Sequence, residues 1–197
     1  LFAAYKLIEE NKDLKVLLID KGPLADKRVC PMNKFHIACQ NCNPCQIMSG
    51  FGGAGTFSDG KLNFIPKLGK SDLFKYMSES EAYSLIDETE EIFNKFNMDS
   101  EVYPSNMDEA KLIQREVTKL GDRLLLIKQK HLGSDKLPGY ITGITDFLKK
   151  KGVELIDSIT VGDIHDEKGK IRVACKKGKE ELEFIGKNVV VAPGRTG

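Results

Sequence analysis

Four cysteines in an irregular stretch are the residues best able to do chemistry. Cys30, Cys39, Cys42 and Cys45 follow the spacing C-x8-C-x2-C-x2-C, and a proline follows the first of them. Closely spaced cysteines of this kind can wrap an iron–sulfur cluster, and paired C-x2-C also suits zinc, with His36 as a further candidate ligand. A redox-active thiol pair and incidental clustering are the other interpretations. In bacterial ferredoxins the Cys-Pro follows the triplet, whereas here it precedes it.

The second chemical feature is a glycine-rich stretch at residues 49–62, Ser-Gly-Phe-Gly-Gly-Ala-Gly-Thr-Phe-Ser-Asp-Gly-Lys-Leu. Glycine lets backbone N–H groups turn toward an anion and lets the main chain approach a flat ligand closely. The stretch therefore predicts a loop packed against a phosphate-bearing or ring-bearing cofactor. A flexible surface loop is the alternative, but flexible linkers seldom contain aromatic residues such as Phe51 and Phe57.

Three polar residues at the end of this stretch are the weak candidates for catalysis. Ser58, Asp59 and Lys61 could touch the cofactor or the substrate. The alternative is that Asp59 and Lys61 simply pair with each other at a turn.

The elements around these motifs predict an α/β fold. Residues 1–11 show helical spacing of apolar residues, and residues 15–20 are a short apolar run ending in Asp20, typical of a buried parallel strand. A helix followed by such a strand is the second half of a βαβ unit, whose terminal acid can accept hydrogen bonds from ribose hydroxyls. An ordinary charged strand end is the alternative. The glycine-containing first turn would precede Leu1, so we expect the chain to be part of a longer protein.

The middle of the chain predicts an inserted α+β cap at residues 68–135. Amphipathic spacing at residues 71–97 indicates one long helix or two short ones, and residues 107–120 predict another helix. Short strands are predicted at residues 102–104 and at residues 123–129, which contain Leu-Leu-Leu-Ile.

The remaining residues, 136–197, predict a return to the domain begun by residues 1–67. A helix at 138–151 leads into a strand at 153–156. Three short apolar runs separated by charged turns, at 161–164, 171–175 and 182–185, predict an antiparallel meander. Residues 189–191 predict a last buried strand, with a Pro-Gly turn directing the chain to the sheet edge where ligands bind.

Composition limits the class of protein. The 197 residues are 41% hydrophobic and 30% charged, as in globular proteins, and 30 basic residues balance 29 acidic ones. That balance gives no argument for a nucleic-acid or membrane-surface partner. We expect a cytoplasmic protein whose cysteines are thiols or ligands rather than disulfides. Cys175, His131 and His165 are expected to be ordinary strand, core or solvated residues.

The order of these parts resembles flavoproteins of the glutathione-reductase type. More narrowly, Cys-Pro followed by Cys-x2-Cys-x2-Cys and then Ser-Gly-Phe-Gly-Gly-Ala-Gly-Thr-Phe-Ser-Asp-Gly-Lys-Leu is similar to the family of uncharacterised FAD-dependent dehydrogenases. The resemblance runs along the whole chain, and the cysteine–glycine block is its most specific part. The phosphate-binding first turn of the family is not in the sequence.

This resemblance implies a Rossmann-like, three-layer FAD-binding domain and an FAD-dependent oxidoreductase of unknown substrate. FAD would be held non-covalently, NAD(P)H could be the electron donor, and the partner would be a small-molecule substrate or an electron carrier. The implied cofactor-binding residues are Asp20 and Lys21 near the adenosine ribose, Gly52, Gly53, Ala54, Gly55 and Thr56 along the pyrophosphate and flavin, Val161 at the adenine, and Gly194 and Arg195 on the other side. We expect these 197 residues alone to bind FAD poorly and to be inactive.

Two other functions fit the same residues. One is a non-catalytic metal-binding or interaction module on a dinucleotide-type sheet. The other is a flavin- or thiol-dependent modifying enzyme, in which Cys39, Cys42 or Cys45 does covalent work.

Overall fold

The computed structural model describes residues 1–194, and it is a mixture of helix and sheet. The helices are α1 (Phe2–Glu10), α2 (Pro31–Phe35), α3 (Glu79–Lys95), α4 (Met107–Lys119) and α5 (Leu137–Lys150). The strands are β1 (Leu17–Ile19), β2 (Lys61–Phe64), β3 (Lys67–Leu68), β4 (Ser71–Asp72), β5 (Val102–Tyr103), β6 (Lys128–His131), β7 (Glu154–Ile156), β8 (Thr160–Glu167), β9 (Lys170–Lys177) and β10 (Glu180–Gly186). Within the described part of the chain, no helix has the length and apolar character needed to cross a membrane.

The chain divides into two compact units. One contains Leu1–Phe57 and the residues from Ile141 onward, and the other contains Ser58–Tyr140. The expected boundaries were after residues 67 and 135, so each division lies within ten residues of the expected place.

The first unit is built on a short parallel strand pair. β1 pairs with β7 in parallel, with Leu18 opposite Leu155. The apolar stripe of α1 is buried through Ala4, Tyr5 and Ile8, the three- and four-residue spacing that places side chains on one helix face. The ring of Tyr5 lies 5.8 Å from that of Phe147 on α5. The parallel strand expected from residues 15–20 is therefore present.

The same unit contains the predicted meander. β9 pairs antiparallel with both β8 and β10, and a register irregularity lies between Val161 and Ile164 on β8. Ile159, Val173 and Cys175 form its buried core. Burial raises the pKa of the Cys175 thiol, which agrees with its expected role as an ordinary strand residue.

The buried strand predicted at residues 189–191 is wrong. Val189 packs against the meander core, but Val190 and Val191 are 68% and 67% exposed, and no strand is assigned there. Valine favours extended backbone, yet a strand forms only where a neighbouring strand accepts its hydrogen bonds. Among the residues described, none pairs with this run.

The second unit centres on an antiparallel sheet in the order β2, β6, β5. Above it, α3 begins at a capping box in which Ser78 and Glu81 satisfy each other's backbone N–H groups. The side chain of Asn106 caps α4 by accepting the N–H groups of Asp108 and Glu109. The sequence predicted one long helix or two short ones at residues 71–97. The structure has the end of the β3–β4 hairpin at residues 71–72, a short 3₁₀ helix at Leu73–Lys75, and then α3.

The apolar run Leu-Leu-Leu-Ile at residues 124–127 is not the strand that the sequence predicted. The strand is β6, which follows it and contains Lys-Gln-Lys-His. β6 is central because it pairs with β2 on one side and β5 on the other. A polar sequence can occupy this place because the buried Lys130 finds partners on every side.

The partners of Lys130 form a compact charged cluster. Its Nζ lies 2.7 Å from Asn94 Oδ1, 3.1 Å from Asp99 Oδ1 and 3.2 Å from Glu90 Oε1. Lys128 also bonds Glu90. Burying a lysine is tolerated only when its charge is paired and its donors are used, as they are here.

Candidate functional site

Asp20 links the end of β1 to the beginning of the glycine-rich stretch. Its backbone continues the parallel pairing, since its N–H donates to Ile156 and its carbonyl accepts from Ile159, each at 3.1 Å. Its side-chain Oδ1 accepts the N–H groups of Gly22 and Gly50, both at 2.9 Å. One carboxylate oxygen therefore holds two loop segments together at the tip of the strand.

These two segments approach so closely that both positions need glycine. A Cβ on Gly22 would lie 2.4 Å from the Gly50 nitrogen. Gly50 has φ +116°, and a Cβ there would lie 2.5 Å from the carbonyl oxygen of Pro23. Phe51 N–H also donates to that carbonyl at 3.2 Å. Part of the glycine content thus serves packing within the protein rather than contact with a ligand.

Arg28 organises the loops around this point, and the sequence analysis did not identify it. The residue is only 4% exposed. Its guanidinium donates four hydrogen bonds to backbone carbonyls: Nε to Gln46 at 2.8 Å, Nη2 to Ile47 at 2.6 Å, and Nη1 to Phe51 at 3.2 Å and to Gly53 at 2.9 Å.

The guanidinium therefore joins residues 46–47, which follow the four cysteines, to the glycine-rich stretch at residues 49–62, called the glycine segment below. Its Cζ also lies 4.7 Å from the ring centroid of Phe57. Burial lowers the pKa of Arg28, partly opposed by the charge of Asp20. No local sequence signal distinguishes this arginine from a solvated one, because its acceptors come from residues 18 to 25 positions away.

The glycine segment has one packed part and one open part. A Cβ on Gly52 would lie 2.3 Å from Thr56 Oγ1 and 2.7 Å from Ile141 Cγ2, so that glycine is packed inside the unit. A Cβ on Gly53 or Gly55 would meet no atom within 4 Å. The backbone from Gly53 to Gly55 therefore borders open space.

Thr56 adds an unusual polar atom to this segment. The residue is 2% exposed, and its Oγ1 has no hydrogen-bond partner among residues 1–194. A buried hydroxyl without a partner costs free energy, so such atoms are uncommon in folded proteins. Here the hydroxyl lies beside Gly52, next to the part of the loop that is open at Gly53 and Gly55.

The other implied cofactor residues are distributed over the same unit. Lys21 is half-buried directly after Asp20. Val161 lies on β8 beside the register irregularity and is opposite Cys175. Gly194 has φ +71° and open space around it, and Arg195 lies outside the described residues. Within residues 1–194, no hydrogen bond joins Val161 or Gly194 to the glycine segment.

The four cysteines are not brought together as a set of ligands. Cys39 and Cys45 are exposed, whereas Cys30 and Cys42 are half-buried. In the described part of the chain, no three His, Cys, Asp or Glu side chains lie close enough to hold a metal ion. His36 is exposed and ends α2 in the left-handed conformation, with φ 54°.

The three weak catalytic candidates belong to the second unit. Lys61 Nζ lies 3.2 Å from Asp59 Oδ2, and the Lys61 N–H donates to Asp59 Oδ1 at 3.3 Å. The hydrogen bond from the Lys61 side chain lowers the pKa of Asp59. The Ser58 hydroxyl accepts the Gly60 N–H at 3.4 Å. Asp59 and Lys61 therefore pair at a turn, which was the alternative to a catalytic role.

His131 joins this group, although its sequence position gave no sign of it. A ring nitrogen of His131 lies 3.2 Å from the carbonyl oxygen of Asp59, and His131 is opposite Lys61 in the β2–β6 pairing. The imidazole is exposed to solvent. An exposed acid, base and imidazole at one turn form a polar surface.

No protein-family model matches the chain, and the comparison with curated proteins finds no match either.

Proposed function

We propose that this chain is the FAD-binding part of an FAD-dependent oxidoreductase whose substrate is a small molecule or an electron carrier. The proposed fold is a Rossmann-like FAD-binding domain carrying the meander, with the second unit as its inserted cap. The observation that carries the proposal is the open backbone at Gly53 and Gly55, fixed to the carboxyl end of β1 through Asp20 and Arg28. Ligands of parallel α/β sheets bind at that end of the strands.

The residues of the glycine segment fit a flat, anionic cofactor. A flavin ring needs backbone that it can approach closely, and no neighbouring atom lies within 4 Å of a Cβ built at Gly53 or Gly55. The buried Thr56 hydroxyl has no partner in the described part of the chain, and a ligand oxygen or nitrogen could supply one. The buried hydroxyl is the more specific of the two features, because glycines in ordinary turns, such as Gly69 and Gly178, also have open space around them.

The proposal assigns roles only to groups that are still available. Asp20 uses Oδ1 for the two glycine N–H groups, so Oδ2 is the oxygen that would accept a ribose hydroxyl. Lys21 would lie near the same ribose. Gly52 to Thr56 would border the pyrophosphate and flavin, and Val161 would offer backbone to the adenine. Gly194 and Arg195 would close the site. When bound, FAD supplies hydride or electron transfer.

A metal is a separate part of the proposal. Iron–sulfur or zinc binding by Cys30, Cys39, Cys42 and Cys45 would require side chains to come closer than they are in the described structure. The proposed chemistry therefore uses no metal. Iron and zinc analysis of the purified protein would test it directly.

The proposal can be tested with the product of the complete gene, purified without oxygen. We expect the visible bands of oxidised flavin in the protein as isolated or after FAD is added. Gly55→Ala should lower FAD affinity by about tenfold, roughly 1.4 kcal/mol, because the new methyl group fills the open face. Gly143→Ala is the matched control, since Gly143 is exposed on α5 and also has open space around it.

Two results would count against the proposal. One is a protein that shows no flavin bands even with excess FAD. The other is equal FAD affinity in the Gly55→Ala and Gly143→Ala variants, which would remove the glycine segment from the cofactor site.

A further inference from the structure

One cavity in the first unit is lined by residues within 28–34, by residues 46–47 and by Phe57. It measures about 300 Å³, at the small end of ligand-binding sites. Its lining residues are Arg28, Val29, Cys30, Asn33, Lys34, Gln46, Ile47 and Phe57. This lining includes two cations and no carboxylate, so the cavity has a positive character.

Arg28 is the strongest feature of this cavity. Its guanidinium is buried, and its four hydrogen bonds all go to neutral carbonyls. No described carboxylate lies within ion-pair distance of it, since Arg28 is in none of the ion pairs of residues 1–194. The four bonds occupy Nε, both N–H groups of Nη1 and one of Nη2, so one Nη2 N–H is still available.

A buried cation without a contacting anion is costly. Carbonyl dipoles offset only part of the lost hydration, so burial lowers the pKa of this arginine although the nearby charge of Asp20 opposes the shift. An oxyanion beside the free N–H would add a charge-assisted hydrogen bond in a low-dielectric place, where such bonds are strong. Asn33, Lys34 and Gln46 line the same cavity, and each of these residue types carries N–H donors.

The rest of the lining is apolar. Val29, Ile47 and Phe57 provide a surface that suits a small hydrocarbon body. We propose that this cavity binds the carboxylate or phosphate of a small organic anion, held by Arg28 and Lys34 with its apolar part against Ile47 and Phe57. The cavity adjoins the glycine segment, since Arg28 also binds the Gly53 carbonyl, but the proposal does not depend on FAD binding.

Alkylation of Cys30 measures directly whether the cavity is occupied, because Cys30 is half-buried and lines the cavity. The probe is benzoate, and benzamide is the uncharged control of nearly the same shape. We expect benzoate to protect Cys30 from iodoacetamide, with alkylation falling to about one tenth at tenfold excess over the dissociation constant. Benzamide should leave the rate unchanged. The exposed Cys39 is outside the cavity and should react equally in all samples.

Variants separate the charge from the fold. Lys34→Gln should weaken benzoate protection several-fold, because it removes one cation from the exposed rim. Lys12→Gln makes the same charge change outside the cavity and should behave like the parent protein. Arg28→Lys keeps the charge but loses the planar fork, and we expect it to abolish protection. Because Arg28→Lys could also unfold the loops, the decisive comparison is between Lys34→Gln and its control Lys12→Gln.

The outcomes are distinct. Equal protection by benzoate and benzamide would overturn the proposal, since the cavity would then be selecting only an apolar body. The absence of protection at about 20 mM benzoate, twentyfold above a 1 mM dissociation constant, would overturn it as well. Release of benzoate by FAD would support the site and identify the cofactor's own phosphates as its oxyanion. Simultaneous binding of both would support a separate small-molecule ligand.

Discussion

The carboxylate of Asp20 accepts the backbone N–H of Gly50 at 2.9 Å, although the two residues are thirty positions apart in the chain. The same Oδ1 accepts the N–H of Gly22 at 2.9 Å. The acid at the tip of β1 thus fixes the path of two loops before any ligand is considered. In the proposed site, its other oxygen, Oδ2, would accept a ribose hydroxyl.

Removing this carboxylate should destabilise the first unit. Asp20→Ala leaves two backbone N–H groups without their acceptor, and we expect a loss of roughly 1.5–3 kcal/mol in the free energy of unfolding. Asp20→Asn keeps an acceptor oxygen and should lose less. Urea denaturation measures both variants, with the exposed Asp13→Ala as control, for which we expect a change within about 0.5 kcal/mol. Equal stability of Asp20→Ala and the control would refute the anchoring role.

Two glycines of the loop should differ in how much stability the same substitution costs. Gly52→Ala introduces a methyl group 2.3 Å from Thr56 Oγ1 at a residue with φ +88°, so we expect a loss of about 2–4 kcal/mol. Gly55→Ala meets open space at an ordinary φ and should change stability by no more than about 0.5 kcal/mol. Thermal unfolding of the two variants side by side is the measurement, and similar midpoints would contradict the distinction between packed and open glycines.

The unpartnered hydroxyl of Thr56 predicts a conflict between stability and ligand binding. Thr56→Val replaces the hydroxyl by a methyl group, which should raise the free energy of unfolding by about 1 kcal/mol without ligand. The same variant should bind FAD more weakly, because a ligand loses its hydrogen-bond partner. Thr56→Ser should do the reverse, with lower stability and retained affinity. If Thr56→Val binds FAD as tightly as the parent protein does, the hydroxyl has no part in ligand binding.

The second unit should lose stability in acid through Glu90. Burial alone would raise the pKa of Glu90, but the hydrogen bonds from Lys128 and Lys130 outweigh it and lower the pKa. A lowered folded-state pKa means that the stabilisation is complete above the unfolded pKa, near 4.3, and is lost as pH falls through the folded value. The free energy of unfolding of Glu90→Gln should therefore be about 1.5–3 kcal/mol lower than that of the parent protein near pH 7, and the two should converge toward pH 3.

Urea denaturation across this pH range tests the claim. The exposed Glu91→Gln serves as control for the loss of one negative charge on the same helix. The result that would contradict this is a constant difference in free energy of unfolding between the parent protein and Glu90→Gln down to pH 3. It would show that ionisation of the Glu90 carboxylate does not stabilise the cluster.

The elements with strong periodic patterns could be predicted from the sequence. The helix predicted at residues 107–120 is α4, Met107–Lys119, and the strands predicted after residue 153 are β7 and the meander. Such patterns are local, because an amphipathic face or an alternating strand is written in adjacent residues. The failures at residues 124–127 and 189–191 have one cause: apolar runs were taken as strands, although strand formation depends on a distant pairing partner.

The site was harder to predict for a related reason. The glycine segment and Asp20 were identified from residue type and position, but the division of the glycines into packed and open ones depends on which atoms face them. Arg28 was missed because the carbonyls it binds belong to two other segments of the chain. The contact of His131 with Asp59 likewise depends on the pairing of β2 with β6.

Because Lys130 is buried, the rate at which its amine is chemically modified reports local opening of the second unit. Its side chain is only 3% exposed, and its amine is held by three acceptors, so an acylating reagent can reach it only when the sheet and α3 separate. The rate of its modification would measure how often that unit opens, as the exchange of protected amide hydrogens does. Exposed lysines would be acylated first, and Lys130 would be acylated only at the rate of this local opening.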